Sequence, residues 1–391
     1  VAAVAKPPRV LVVTRGSIAM DAMHTASDAA HGGAWGLMRV LRLEHTKMRT
    51  HIVDQPPYPH VTATLFSLTN EMEEACRGER RFAARLRACI ADLKRTQALA
   101  CCQHVITGGL GGLGLRAAAM LVESGASGVL LASRNGRVGR EGHVESNPCV
   151  TFQRTVASVL ASDAADVVDA LSLLGSATLA GVLHAAGVLR DKMVVAVAAA
   201  ESGVVFAGKA VSASHICAAT SRIPLTALAL FSSITSVFGN VGQGTYAAAN
   251  AYLDRVTFCR RVSGSTSATL QIPAVSGAGM GARAFDQAQL DSMGAIALDE
   301  FAGCLLNSLV STRSSGFEKT QTPLARVLIE ALSTEASASM APSIFSELQT
   351  ARTSRVSESM NGALLASSIA PNANPFVDSL ATLTLVQRRS H

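Results

Sequence analysis

Aromatic side chains are scarce in this 391-residue chain, at 4% with a single tryptophan. Its core must therefore be filled by Val, Leu, Ile and Ala. With 49% hydrophobic and 16% charged residues, there is enough apolar material to exclude wholesale disorder. No run of about 18 apolar residues occurs, which excludes a helix spanning a membrane. None of the eight cysteines stands in a C-x-x-C pair, which speaks against a zinc site, so no metal is expected. Their scatter reads as reduced thiols in a cytoplasmic type of compartment. The net charge of +6 is spread along the chain. Without a basic block, nucleic acid is not an expected partner. The N-terminus lacks a charged-then-apolar signal pattern and begins with Val1, which suggests a piece of a longer polypeptide.

Periodicity predicts a small α/β unit in the first hundred residues. Residues 8–16 read as a buried strand ending at Gly16. Trp35, Met38 and Leu41, with Arg39 and Arg42, suggest an amphipathic helix over 31–46. Ile52-Val53 reads as a short strand and Ala63–Cys76 as a helix. From His104 onward strands and helices alternate. Apolar runs at 104–107, 127–134, 156–160, 181–184 and 225–232 are joined by helical stretches, notably 196–219 and 243–261. That alternation predicts a doubly wound parallel sheet covered on both faces, a Rossmann-like α/β fold. Ser311–Pro323 reads as a surface loop and 351–375 as a linker or tail. The expected organisation is a first subdomain over 1–100, a second over 101–350 and a tail over 351–391.

Two constellations carry chemistry. Gly109, Gly111 and Gly114 fit G-x-G-x-x-G with a strand before, a helix starting within and a second strand after. Glycines there let the backbone turn tightly and approach a pyrophosphate, whose charge a helix N-terminus stabilises. About 20 residues beyond, an NAD site carries a carboxylate; here stand Ser133 and Arg134, which favour a 2′-phosphate and thus NADPH. Asp163, after the third strand, either accepts from an adenine amino group or is an ordinary surface carboxylate. In the second constellation, Ser233 ends an apolar strand, Tyr246 follows on a helix, and Asn250 lies one turn beyond Tyr246. Ketone reduction needs a proton donor at the developing alkoxide. A tyrosine needs a nearby cation for that task near neutrality, and Lys209 is the candidate. A serine hydroxyl can hold the carbonyl oxygen.

These residues resemble the ketoreductase domain of type I modular polyketide synthases, in the short-chain dehydrogenase/reductase superfamily. The run Thr107-Gly108-Gly109-Leu-Gly111-Gly112-Leu113-Gly114 is similar to that family's cofactor loop. Leu131-Ala-Ser133-Arg134, His184-Ala185-Ala186-Gly187-Val188 and Phe231-Ser-Ser233-Ile234 resemble its next signatures. Gly242–Asp254 is similar to its active-site helix. In this family the lysine and asparagine exchange places relative to ordinary reductases, and Lys209 and Asn250 reproduce that exchange. Trp35–His45 and Arg80–Leu86 resemble pieces of its structural subdomain, a truncated Rossmann unit.

The resemblance implies NADPH-dependent reduction of a β-ketoacyl thioester. The substrate would be borne on the phosphopantetheine of an acyl carrier protein, beside other polyketide synthase domains. It also implies stereocontrol. Asp191, in Leu189-Arg-Asp191, keeps the second acid of the B-type motif, and Phe238 stands where A-type enzymes carry tryptophan. Gln243 belongs to the same substrate-orienting region. A B-type, 3R-type hydroxyl is the expected product. Departures are Arg190 for the first acid, Ile272-Pro-Ala-Val275 for a Trp-Gly-Pro-Trp-like run, and a weak helix signal over Gly136–Pro148. Asp378-Ser379-Leu380 matches a carrier motif without its usual context. The alternatives are a non-reducing or epimerising scaffold domain, and a free-standing reductase of a small ketone.

Overall fold

The computed structural model describes residues 9–18, 29–56, 69, 71–89, 102–136, 157–175, 179–311, 321–325 and 380–389. Most of 136–148 and all of 351–379, Ser379 included, lie outside the described residues.

Among the described residues, four strands and one α-helix form the N-terminal unit. Strand β1 (Val10–Arg15) lies parallel to β2 (Thr50–Gln55), and β2 parallel to β3 (Glu73–Arg77). Strand β3 turns at Gly78, whose φ of +61° suits glycine, into the antiparallel β4 (Arg80–Cys89). Residues 73–76, expected to end a helix, are therefore strand. What decides it is pairing with distant strands: β3 is bonded to β2 on one side and to β4 on the other, and charged residues pair across the hairpin, as Arg81 does with Glu74 at 2.7 Å. Helix α1 (Gly32–Glu44) buries Trp35 and Met38 against Ile52 and Ala75. Its Arg39 and Arg42 are buried as well, both bonded to the Glu73 carboxylate. Burial alone would raise the Glu73 carboxyl, but the charges of Arg39 and then Arg42 more than offset it and hold it at about 2.

The end of β1 holds its own anion. Fully buried Asp54 accepts from Ser17 N (3.0 Å), Ile18 N (3.0 Å) and the Thr14 and Ser17 hydroxyls (2.8 and 2.7 Å). Arg77 Nη2 bonds its other side at 3.0 Å. The amides that follow a first Rossmann strand usually face a phosphate; here a resident carboxylate takes them.

The second unit is the doubly wound sheet. Its strands are β5 (Gln103–Thr107), β6 (Gly128–Ser133), β7 (Ala157–Ala161), β8 (Leu179–His184), β9 (Ala227–Ser233), β10 (Ala268–Ile272) and β11 (Gln321–Ala325). They are parallel, in the order β11-β10-β9-β8-β5-β6-β7, so the chain reverses direction across the sheet between β5 and β8. Residues 321–323, expected in a loop, open β11. A last strand, β12 (Leu380–Arg389), pairs antiparallel with β11 and with β4, joining the two units in one twelve-stranded sheet. It falls in the stretch expected to be a tail.

Helices cover both faces. On one side α2 (Gly112–Glu123) and α8 (Leu298–Ser311) enclose a core in which Phe231 meets Phe301 edge-on, with centroids 5.6 Å apart. On the other lie α3 (Val167–Leu174), α5 (Ser212–Ala219) and α7 (Gly244–Val262). Helix α1 packs on α7, and Gly36 lies so close to the Ala247 backbone that any Cβ would collide with it. This contact explains the small residues flanking Trp35.

Candidate active site

Thr107 is the last residue of β5, and the chain turns at Gly108 with φ +69°. A Cβ on Gly108 would stand 2.5 Å from the Ala186 backbone. One on Gly109 would stand 2.7 Å from the Ile106 carbonyl, and one on Gly114 would stand 2.6 Å from the Gly108 carbonyl. Helix α2 then starts at Gly112, whose Cβ position is 2.7 Å from Gly279 N. The glycine run thus lies between the Ala185-Ala186-Gly187 turn and the chain at Ala278-Gly279, with Leu113 against Gly279. Helix α2 begins at this cradle, and the amides of a helix's first turn have no partner within the helix.

Lys209, Ser233 and Tyr246 come from three different elements and line one cavity of about 550 Å³. Ser233 ends β9, and its Oγ accepts from Thr235 N at 3.3 Å. Tyr246 stands in the first turn of α7. Burial pushes its phenol up to about 12; hydrogen bonding from Asn250 opposes this, the Asp191 charge adds to it, and hydrogen bonding from Ser233 opposes it. Lys209 lies in a π-helical turn (Ala207–Val211) between α4 (Ala199–Phe206) and α5. Its Nζ donates 2.7 Å to the Phe231 carbonyl. Burial pulls this ammonium down to about 7, against the charge of Asp254. Asn250 is fully buried behind the cavity wall. It donates 2.9 Å to the Tyr246 carbonyl, while its Oδ1 has no partner among the described residues.

A further residue of the site is His184, at the end of β8. Its Nε2 lies 3.1 Å from the Lys209 carbonyl, which can only accept, so Nε2 carries the proton. Nδ1 then accepts from the Thr107 hydroxyl at 2.7 Å. Burial, then the Lys209 charge, drops its pKa to about 3, so the ring is neutral. One imidazole thereby ties the start of the glycine loop to the turn that presents Lys209. Its only sequence signal was its place ahead of Ala185-Ala186-Gly187.

Other expected residues fall around this centre. Phe238, on α6 (Thr235–Phe238), and Gln243 are buried and line the cavity, as do Leu113 and Ala185. Asp191 is exposed and does not line it, but Gln243 Nε2 reaches its carboxylate at 3.2 Å. The run Ile272–Val275 forms cavity wall, fastened by Ile296 N to the Ala274 carbonyl (3.0 Å) and Ser276 N to the Ile296 carbonyl (2.9 Å). Ser133 and Asp163 lie at the carboxyl ends of β6 and β7, away from this cavity. The Ser133 Oγ is buried without a partner, and Arg134 beside it is exposed with no ion pair among the described residues. Asp163 Oδ1 accepts from Ala165 N at 3.1 Å. No helix among the described residues is long and apolar enough to cross a membrane, and they contain no metal-binding group of His, Cys, Asp or Glu.

A solved A-type ketoreductase structure from a modular polyketide synthase superimposes with a TM-score of 0.70 at 30% identity, covering 78% of this chain and 67% of that one. The chain belongs to the polyketide synthase ketoreductase family. The family model for the KR domain matches residues 102–277. The first ketoreductase of the tylosin polyketide synthase aligns over 88% of this chain and 76% of its own, with TM-score 0.74 and 27% identity. A phenolphthiocerol/phthiocerol polyketide synthase protein of Mycobacterium tuberculosis is 34% identical over 280 residues. That match covers 68% of this chain and 15% of the mycobacterial protein. The pikromycin synthase component PikAIII of Streptomyces venezuelae is 31% identical over 288 residues, 70% of this chain and 18% of that component. The chain thus spans less than a fifth of these curated relatives.

As a ketoreductase the chain is an oxidoreductase of a ketone/alcohol pair, in a family that binds a nicotinamide cofactor. Its residues fit such a group. The cradle at Gly108, Gly109 and Gly114 excludes any Cβ, and the unpartnered Ser133 Oγ lies at the end of the neighbouring strand.

Proposed function

We propose that this ketoreductase reduces the β-carbonyl of an acyl thioester, with NADPH as hydride source. The observation that carries the reading is the convergence of Tyr246, Ser233 and Lys209 on one cavity beside the glycine cradle.

Thr107, Gly108, Gly109, Gly111, Gly112, Leu113 and Gly114 would hold the pyrophosphate, and Ala185, Ala186 and Gly187 would flank it. Ser133 and Arg134 supply a hydroxyl and a fixed cation for the 2′-phosphate, where a carboxylate would repel it. Asp163 is proposed for the adenine edge. When bound, the nicotinamide supplies the hydride for the β-carbon. Ser233 donates a hydrogen bond to the carbonyl oxygen and shares the negative charge that develops there. Tyr246 gives its phenolic proton to that oxygen. A buried phenol held near 12 is a reluctant donor, and the Lys209 ammonium stabilises the tyrosinate left behind. Asn250 orients the first turns of α7, and its unpartnered Oδ1 is the acceptor for a water that returns the proton.

The substrate proposed is a β-ketoacyl group on the phosphopantetheine arm of an acyl carrier protein. Neighbouring synthase domains are the other partners, in keeping with the multidomain relatives. A B-type, 3R-type product is supported by Asp191, by its bond to Gln243 and by Phe238 in place of tryptophan. Two of the similar solved ketoreductases are A-type, so this part rests on the chain's own residues. The aliphatic Ile272–Val275 run motivates a second reading, a scaffold domain that binds cofactor without transferring hydride.

The test is Tyr246→Phe, assayed with a β-ketoacyl N-acetylcysteamine thioester. Loss of one positioned proton donor predicts a rate lower by about 10²–10⁴, with the cofactor dissociation constant unchanged. A variant that keeps most of its rate removes Tyr246 from the role. A wild-type chain that binds reduced cofactor without oxidising it supports the scaffold reading.

A further inference from the structure

Glu44 ends α1 and belongs to the N-terminal unit, yet both its carboxylate oxygens are spent on the catalytic unit. Oε1 accepts from Gly242 N at 3.0 Å, and Oε2 from Val194 N at 2.7 Å. These amides lie in two separate loops, one running from Asp191 to Val194 and one from Gly239 to Gln243. The loops also bond each other, since Lys192 N donates 2.7 Å to the Gly242 carbonyl and Gln243 reaches Asp191 at 3.2 Å. The rest of the α1 end is shaped to the same place. Leu43 lines the cavity, and a Cβ on Gly239, where φ is +76°, would stand 2.9 Å from its Cδ1. A Cβ on Gly244 would stand 2.6 Å from Val194 Cγ2.

We infer that Glu44 is a positioning residue for the acyl substrate: by holding the amides of Val194 and Gly242 together it fixes Gln243, in the cavity wall, against Asp191 at its outer side, so the N-terminal unit takes part in orienting the substrate and in the stereochemical outcome. The inference deepens the reductase reading and rests on it. The chemistry requires a carboxylate of this length. Two N–H donors from different loops converge on two acceptors, and a charged acceptor makes the stronger bonds. Glutamine keeps one acceptor and turns an NH₂ toward the other N–H. Alanine leaves both amides without this partner. The fold does not otherwise need the pair there, because α1 is already fixed by Trp35, Met38 and the Arg39/Arg42–Glu73 bonds.

The test compares wild type, Glu44→Gln and Glu44→Ala as full chains, with a racemic α-methyl-β-ketoacyl N-acetylcysteamine thioester. KM for thioester and for cofactor, kcat, melting temperature and the ratio of diastereomeric alcohols are read in parallel. Losing a charge-assisted bond to each loop predicts a thioester KM raised about tenfold in Glu44→Ala and less in Glu44→Gln. The product ratio should broaden in the same order, with cofactor KM within about twofold of wild type. A fall in melting temperature alone, with KM and product ratio unchanged, overturns the inference and leaves Glu44 a purely structural contact. Should Glu44→Ala not fold, the nearly isosteric Glu44→Gln decides by the same criteria. A wild-type chain that turns over no thioester contradicts the reductase reading, and this inference with it; an active wild type with indifferent Glu44 variants overturns the inference alone.

Discussion

The ammonium nitrogen of Lys209 lies 5.3 Å from the centroid of the Tyr246 ring while it donates to the Phe231 carbonyl. The two side chains come from elements 37 positions apart in the chain. The π-helical turn at Ala207–Val211 brings Lys209 to the end of β9 and so under the tyrosine. A cation so placed favours tyrosinate over phenol, which is what a proton donor at a developing alkoxide requires.

Lys209 gives the reduction a pH dependence with a definite sign. Burial holds its ammonium near 7, well below the ordinary lysine value of 10.5. As pH rises through about 7 the cation is lost, and with it the stabilisation of tyrosinate. The rate of ketone reduction should fall on that limb. Lys209→Met should be slower by about 10² or more and should lack the limb. A kcat/KM profile for both proteins, with thioester saturating in neither, checks this.

His184 ties two parts of the site. His184→Leu leaves the Thr107 hydroxyl and the Lys209 carbonyl without their partner, which costs about 2–4 kcal/mol in all. Urea unfolding should show a lower midpoint with an unchanged slope. Because the ring is neutral in the fold at a pKa of about 3, against 6.5 when free, the unfolded chain binds the extra proton between these values. Its contribution to stability is therefore lost as pH falls from about 6.5 toward 3, a loss that His184→Leu should not show.

Glu73 acts in a lower window. Its folded pKa of about 2, against 4.5, makes its contribution complete above about 4.5 and lost as pH falls through 2. The shift corresponds to roughly 3 kcal/mol. Glu73→Gln should remove that part of the acid sensitivity. Because it also leaves Arg39 and Arg42 buried without their anion, it should destabilise the chain at pH 7 by about 3 kcal/mol or more. Unfolding curves at several pH values separate this from the His184 effect.

Gly108→Ala tests the cradle. A methyl group there meets the Ala186 backbone and a φ of +69° together. The substitution should weaken cofactor binding more than tenfold, since the loop must move to accept it. Calorimetric titration with NADPH reads this directly; binding at wild-type strength would show that the loop is not the cofactor cradle.

Much of this architecture is legible in the sequence because it is local. The alternation of apolar runs with helical periodicity locates β5, β6, β8, β9 and α7 to within a few residues. The strand, glycine turn and helix of β5 to α2 are legible because they are contiguous in the chain. Ser233 and Tyr246 are legible for the same reason, being close in the chain on adjoining elements. What escaped depends on distant partners. The β3–β4 hairpin is decided by charged pairs and by β2, so residues 73–76 carry no local strand signal strong enough to override a helical reading. Glu44 gave no hint of a role, since its amide partners lie 150 and 198 positions away. His184 reads locally as the end of a buried strand, and its bonds to Thr107 and Lys209 emerge only when β8 enters the sheet beside β5.

Whether this chain reduces a β-ketoacyl group is decided by turnover of a β-ketoacyl N-acetylcysteamine thioester with NADPH and, in parallel, NADH. It is followed as loss of the reduced cofactor's absorbance, with chiral analysis of the alcohol. Turnover with NADPH should lie well above that with NADH, Arg134→Asp should lose that preference, and the product should be of 3R type. Cofactor bound but never oxidised in the presence of the thioester would contradict the reductase reading.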